Sequence, residues 1–233
     1  MNYYESIKYH PIFQGIKESD IKIILDCFCF QEKTYKKEEY IILEGDPVEY
    51  VGVILHGIIL MEKNDLYGNN YFFTELREHE IFAEPFMDTN IRNCSVNYKA
   101  MTNCSILIFP YRLIWQRCSK NCTFHTMFIE NLMNLLALKT RTLLAKLEIL
   151  SKKSIRDRIL TFLHMIRTNQ DIVGFHNMNQ PFDLLDNEVF IPLNHTEMAE
   201  YLCVNRSALV REISKMKAES IISVKNNTFH LLS

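Results

Sequence analysis

Two arginines late in the chain, Arg206 and Arg211, are the side chains best fitted to bind a partner. A guanidinium is planar and always charged, and its fixed fork of donors suits phosphate oxygens or two acceptors on one flat edge. Both lie in the run NRSALVREISKM. Asn205 there is a good helix cap, and Leu209, Ile213 and Met216 recur at helical spacing as an inward face. Arg206, Ser207, Val210, Arg211 and Ser214 therefore point outward. Just upstream, Asn194 with Glu197 three residues on forms a capping box, opening a short helix with His195 and Thr196 in its first turn and Met198, Ala199 and Leu202 buried. A turn at Cys203-Val204 joins the two, and Ala199 is small enough to let the helices cross closely. Ile221 to Val224, Asn226-Asn227 and Thr228 to Leu231 read as a hairpin on a type I′ turn. Two capped helices, a tight turn and a hairpin have the spacing of a winged helix-turn-helix.

The remaining reactive residues form no catalytic pattern. No nucleophile elbow, phosphate-binding loop or histidine-carboxylate cluster is present, so the sequence argues against an enzyme. Of the seven cysteines, Cys118 and Cys122 are four apart on an expected helix and could share a ligand or oxidise, although two buried thiols are the simpler reading. His125 and His164 are expected to pack within helices, and His195 to lie on the surface. Neither a zinc nor a haem pattern appears, so no metal ligands are assigned, and the cofactor is left unknown.

These residues need elements to position them, and the longest is Thr123 to Leu150. It has no Gly or Pro and predicts one helix about 42 Å long. Thr126, Ile129, Met133, Leu136, Thr140, Leu143, Leu147 and Leu150 alternate by threes and fours, the spacing of a coiled-coil seam. Phe124, Phe128, Leu135, Leu138, Ala145 and Ile149 form a second stripe. Two apolar faces call for two partners: the chain's own N-terminal domain and the same helix of a second copy. The alternative is a core helix of a monomer. Ile129, Met133, Leu136, Leu143, Leu147 and Leu150 are the expected dimer contacts.

Charge divides along the chain: residues 1–110 carry 10 Lys/Arg against 17 Asp/Glu, 111–150 carry 6 against 2, and 151–233 carry 10 against 9, for a net charge of −2. Only the back of the chain is suited to a polyanion. No apolar run reaches membrane-span length, and the first residues lack the layout of a signal peptide, so a cytoplasmic protein is expected. Residues 1–30 read as short helices, with Ser19 capping Asp20 to Phe28. From Glu39 the pattern becomes short strands at Tyr40–Leu43, Val51–Leu55, Ile58–Met61, Tyr71–Leu76 and Ser95–Pro110, suggesting an antiparallel roll. Tyr111 to Lys120 reads as a short helix. A polar break at Ser151–Lys153 precedes a helix from Ser154, with Asp157 in its cap, through Ile166. Asn169 to Glu188 reads as a loop and Val189 to Leu193 as a strand. The expected fold is therefore α+β, with domains at 1–122, 123–150 and 151–233.

In this order the modules resemble the family of cyclic-AMP receptor protein and the fumarate/nitrate reduction regulators (Crp/Fnr) over essentially the whole chain. The best stretch is LNHTEMAEYLCVNRSALVREISKMKAESII; ILEGDPVEYVGVILHG and IFAEPFM through NCSVNYKAMTNCSILIFP resemble the family's strands and phosphate cassette. The resemblance implies a homodimeric regulator that binds an inverted repeat in double-stranded DNA and meets RNA polymerase, with Asn205, Arg206, Ser207, Arg211, His195 and Thr196 at the DNA. Ser207 replaces the family's usual acid and Cys203 its usual turn glycine. In the effector pocket Glu84 and Ser95 remain, but Ala83 stands for the glycine, Cys94 for the phosphate-pairing arginine, and Leu143 and Leu144 for the two hydroxyl-bearing helix residues. Without that arginine a cyclic nucleotide loses its main ionic partner, and Arg92 is two residues away. The family's iron-sulfur spacing is not matched by Cys27, Cys29, Cys94, Cys104, Cys118 and Cys122. The sequence thus predicts regulation by something other than cyclic AMP. The alternative is an interaction protein that kept the roll and lost DNA binding.

Overall fold

The computed structural model describes residues 7–64, 67, 70–86, 93–115, 123–168, 187–191, 193–225 and 227–232. The chain divides into two compact units, Met1–Met133 and Asn134–Ser233.

The first unit begins with a 3-10 turn, Pro11–Phe13, and helix α1, Glu18–Cys27. The cap position of α1 is Lys17, not Ser19, and Lys17 makes no side-chain capping bond; the Ser19 hydroxyl instead meets Asp20 at 3.4 Å. Eight strands follow: β1 Gln31–Tyr35, β2 Tyr40–Ile42, β3 Tyr50–His56, β4 Ile59–Asn64, β5 Asn70–Leu76, β6 Ile81–Phe82, β7 Asn97–Ala100 and β8 Cys104–Pro110. They form two antiparallel sheets in the orders β1-β8-β3-β6 and β2-β7-β4-β5. The apolar run read as Ser95–Pro110 is two strands in different sheets, because the chain turns at Met101–Asn103. β1 was not anticipated: QEKTY has no apolar alternation, and it is held by its ladder to β8 from Gln31↔Ile108 to Tyr35↔Cys104.

Ile54, Ile59, Phe82, Tyr98 and Ile106 are fully buried in the core of the roll. Gly52 is required there, since a Cβ at that position would fall 2.1 Å from the Phe82 ring. A second aromatic group joins Phe13, Phe28, Phe30 and Phe109 to Phe128, with ring centroids 4.6 Å apart for Phe28–Phe128 and for Phe30–Phe109. Phe128 belongs to helix α2, Thr123–Ser151, whose early turns bury Phe128 and Leu132 completely. Asn131 on the same turns donates to the carbonyls of Ile12 and Gln14 at 3.1 and 2.9 Å. The expected helix after Tyr111 is a 3-10 turn over Tyr111–Trp115; residues 116–122, including Cys118 and Cys122, lie outside the described residues.

The second unit holds the later part of α2, then α3 Ile155–Arg167, β9 Glu188–Phe190, α4 His195–Tyr201, α5 Arg206–Ala218, β10 Ile222–Lys225 and β11 Thr228–Leu231. Its strands pair antiparallel in the order β10-β11-β9. One core unites Ile149, Phe162, Leu163, Met198, Leu202, Leu209, Ile213, Met216 and Phe229. Ser154 caps α3 by accepting from the Asp157 amide at 3.0 Å. His164, expected to pack, is exposed and meets Arg167 at 3.2 Å. Residues 169–186, Pro192 and Asn226, which include most of the expected loop and one residue of the expected hairpin turn, lie outside the described residues. Among the described residues no helix is long and apolar enough to cross a membrane.

Candidate nucleic-acid interface and effector cassette

The end of α4 and the start of α5 are built by local hydrogen bonds that the sequence encodes directly. Asn194 accepts from the Thr196 and Glu197 amides at 2.8 and 3.0 Å, and Glu197 returns a bond to the Asn194 amide at 2.8 Å, completing the capping box. α4 ends in a Schellman turn: the Cys203 amide reaches the Glu200 carbonyl and the Val204 amide the Ala199 carbonyl, at 3.1 and 2.9 Å. This turn needs a left-handed residue, and Cys203 supplies it at φ +51°. Asn205 then caps α5, accepting from the Ser207 amide at 2.9 Å and the Ser207 hydroxyl at 2.7 Å.

Arg206, Ser207, Arg211 and Ser214 are exposed, while Leu209, Ile213 and Met216 are buried beneath them. Arg211 Nε rests on the Ser207 carbonyl at 3.3 Å, one turn back on the same face. The helix also carries Glu212, and Glu219 caps its end; both acids are drawn onto Arg156 of α3. Its Nε meets Glu212 at 2.7 Å, and its two terminal nitrogens grip Glu219 at 2.6 and 3.0 Å. This pairing lowers the pKa of Glu219. Glu212 and Glu219 are thereby engaged by α3. His195 and Thr196 are exposed at the start of α4.

The cassette of the first unit is built in the opposite way. Ala83 is fully buried and takes a left-handed conformation at φ +64°. Cys94 is buried, and its thiol donates to the Val96 carbonyl at 3.0 Å. The Cys94 backbone is fixed from both sides, its amide on the Asp46 carbonyl and its carbonyl on the Gly45 amide, each at 2.8 Å. Burial, and then the nearby Asp46 and Glu44, push this thiol up from its ordinary pKa, so it is a poor nucleophile. Phe82, Ala83, Phe86, Cys94, Val96 and Tyr98 belong to one continuous apolar cluster. Burial, with Glu84 and Cys94 nearby, raises the Tyr98 phenol well above its usual pKa. Ser95 is exposed, and its carbonyl accepts from Lys63, which also pairs with Glu44 at 2.8 Å. Arg92 lies outside the described residues. Leu143 and Leu144 belong to the second unit, at 69% and 60% exposure. Of the five anticipated pocket residues, Glu84, Cys94 and Ser95 share the first unit, where Cys94 is a filled apolar position.

Along α2 the anticipated contact residues are graded. Ile129, Leu136 and Leu150 are half-buried, whereas Met133, Leu143 and Leu147 are exposed. Among the described residues no three His, Cys, Asp or Glu side chains gather as a metal-holding group. Two cations that sequence reasoning missed, Lys146 and Arg158, contact the α4–α5 turn. Their partners are backbone carbonyls, which leave no signature in side-chain spacing.

Residues 32–121 match the family model of the cyclic nucleotide-binding domain. No curated protein matches the sequence. Among solved structures, the c-di-GMP responsive global regulator CLP of Xanthomonas campestris is 17% identical with a TM-score of 0.54, covering 93% of this chain and 100% of its own. The catabolite activator protein of Thermus thermophilus is 19% identical with a TM-score of 0.50, over 95% of this chain and 93% of that one. A cyclic nucleotide-binding domain from Methylobacillus flagellatus is 17% identical with a TM-score of 0.52, over 60% and 79%. At these identities the likeness is one of fold.

Proposed function

We infer that this chain, which carries a cyclic nucleotide-binding domain and shares the fold of the Crp/Fnr regulators, is a sequence-specific DNA-binding transcription regulator acting as a homodimer. One observation carries the reading: α5 presents Arg206, Ser207 and Arg211 to solvent from a capped first turn, with its two acids drawn off onto Arg156. In helix-turn-helix docking the N-terminal residues of the second helix enter the major groove. An arginine fork there pairs with guanine O6 and N7, worth about 1–3 kcal/mol of discrimination. Arg211 is assigned the base contact, Arg206 a phosphate or the neighbouring base, and Asn205, Ser207, His195 and Thr196 the backbone. β10–β11 is the wing. Ile129, Met133, Leu136, Leu143, Leu147 and Leu150 form the twofold contact, so the operator is an inverted repeat with half-sites about 34 Å apart.

The effector is not cyclic AMP. Cys94 offers its phosphate no charge, and Leu143 and Leu144 offer its base no hydrogen bond. The reading that DNA binding has been lost is disfavoured by the solvent-facing arginines. Selection from random DNA with wild type and Arg211→Ala tests the proposal. Wild type should recover an inverted repeat, and the variant should relax one position in each half-site. Recovery of the same motif by both proteins, or of no inverted repeat, would overturn it.

A further inference from the structure

The Schellman turn at the end of α4 closes on the carbonyls of Met198, Ala199 and Glu200; the next three, those of Tyr201, Leu202 and Cys203, are last-turn acceptors of the kind a helix end offers to other groups. All three are taken by cations from elsewhere in the second unit. Lys146, on α2, donates its ammonium to the Tyr201 carbonyl and stands 4.0 Å over the centroid of the Tyr201 ring. Arg158, on α3, places one terminal nitrogen 3.1 and 3.2 Å from the Leu202 and Cys203 carbonyls. The same guanidinium reaches back to the end of α2. Its Nε donates to the Lys152 carbonyl at 3.1 Å and its other terminal nitrogen to the Leu150 carbonyl at 3.4 Å.

One side chain therefore ties the end of the long helix, the polar break after it and the turn that aims α5. Neither cation has a carboxylate in these contacts. Each spends its charge on backbone carbonyls, which are orphaned acceptors at helix ends. Lys146 is held below its ordinary pKa by burial, with Cys203 acting in the opposite sense. Long cationic side chains at exposed helix positions normally face water. Two of them turned inward onto one tight turn make a clamp.

We propose that Lys146 and Arg158 are positioning residues that make the later part of α2, the break at Ser151–Ser154 and the α4–α5 turn a single rigid piece. On the DNA-binding reading, which this inference deepens, the clamp fixes the separation and rotation of the two α5 helices in a dimer. The break, although polar and rich in lysine, is then not a hinge. A regulatory signal reaches α5 as movement of α2 itself.

Half-site spacing reads this directly, because one inserted base pair turns a half-site by about 35° and displaces it by about 3.4 Å. Full-length wild type, Lys146→Met, Arg158→Met and Arg158→Lys are compared on the selected operator with zero, one or two base pairs inserted at its centre. Wild type should lose about tenfold or more per insertion, and Arg158→Met about threefold or less, with the same base preferences and the same salt slope, since no phosphate contact is removed. Arg158→Lys, which retains a charge but loses the fork, should fall between. A wild-type spacing penalty in both Met variants would overturn the proposal.

Hydrogen exchange of the free proteins supplies a readout independent of DNA. The amides of Cys203 and Val204 should exchange about tenfold faster in each Met variant, with the α3 core unchanged. If Arg158→Met does not fold, Lys146→Met carries the same expectation alone, and wild-type exchange in it would count against the clamp. Failure of wild type to bind any DNA would instead defeat the DNA reading, while exchange at the turn still decides whether the clamp holds it.

Discussion

The candidate effector cassette and the α4–α5 segment both carry a side-chain residue in a left-handed backbone position, Ala83 at φ +64° and Cys203 at φ +51°. Around those positions the two regions were treated oppositely. In the cassette, Cys94 is buried and its thiol is absorbed by the Val96 carbonyl. At α5 the arginines stand in solvent and the acids are drawn away. A left-handed residue thus occurs at a buried, apolar position and at an exposed turn alike, and only the surrounding side chains distinguish the two. The second half of α2 belongs with the open region: Leu143, Leu144 and Leu147 are 69%, 60% and 63% exposed, whereas Phe128 and Leu132 earlier in the helix are fully buried.

The largest effect should come from charging that open leucine row. Leu143 is exposed within the chain, so Leu143→Asp leaves the protomer folded. In a twofold contact it faces two carboxylates into an apolar seam at a cost of several kcal/mol. Sedimentation should show a monomer, and a stable dimer would place the contact elsewhere. Closing the comparison from the other side, Cys94→Arg places a cation at a position only 2% exposed. An uncompensated buried charge should destabilise the first unit by about 3 kcal/mol in urea unfolding without added anion. A near-neutral result would mean the cassette has room and a counter-charge for a phosphate. For wild type, calorimetry should detect no micromolar cyclic-AMP binding.

The first unit also responds to pH. His10 is 1% exposed, accepts from the Ile12 amide through Nδ1 at 3.1 Å and meets the His79 carbonyl through Nε2 at 2.6 Å. The Nδ1 bond needs the neutral ring, whereas Nε2–H donates to the carbonyl in either form. Burial lowers its pKa from 6.5 to about 4. The unfolded chain therefore takes the proton first, and stability is lost as pH falls from 6.5 toward 4. The integrated loss at pH 5 is about 2 kcal/mol. His10→Asn keeps a cap acceptor without the titration, so its stability should fall less than wild type between pH 7 and pH 5. Equal losses would remove His10 as the cause.

How much of this was legible depended on how local the determinant was. Asn194, Glu197, Asn205 and Ser154 cap the helices they were read to cap, because a cap is satisfied within three residues. Leu209, Ile213 and Met216 are buried as their spacing required. Ser19 misled because Lys17, with no capping side chain, holds the position one residue before α1. β1 was invisible because its polar sequence is paired by a strand about seventy residues away, and the single run Ser95–Pro110 concealed a change of sheet. Lys146 and Arg158 could not be found from spacing at all, since carbonyls look alike in every residue.

The smallest effect separates the two left-handed residues themselves. A Cβ in that conformation costs about 1–2 kcal/mol, and glycine removes the cost while loosening the unfolded chain by about 0.4–1 kcal/mol. Cys203 is exposed, so Cys203→Gly should raise the stability of the second unit by about 0.5–1 kcal/mol in urea unfolding at pH 7. Ala83 has no exposed surface, and removing its methyl forfeits about 0.8 kcal/mol of burial. Ala83→Gly should therefore leave the first unit unchanged within experimental scatter. An equal gain at both sites would mean that the Ala83 methyl packs against nothing, and the cassette would then be open where the comparison requires it closed.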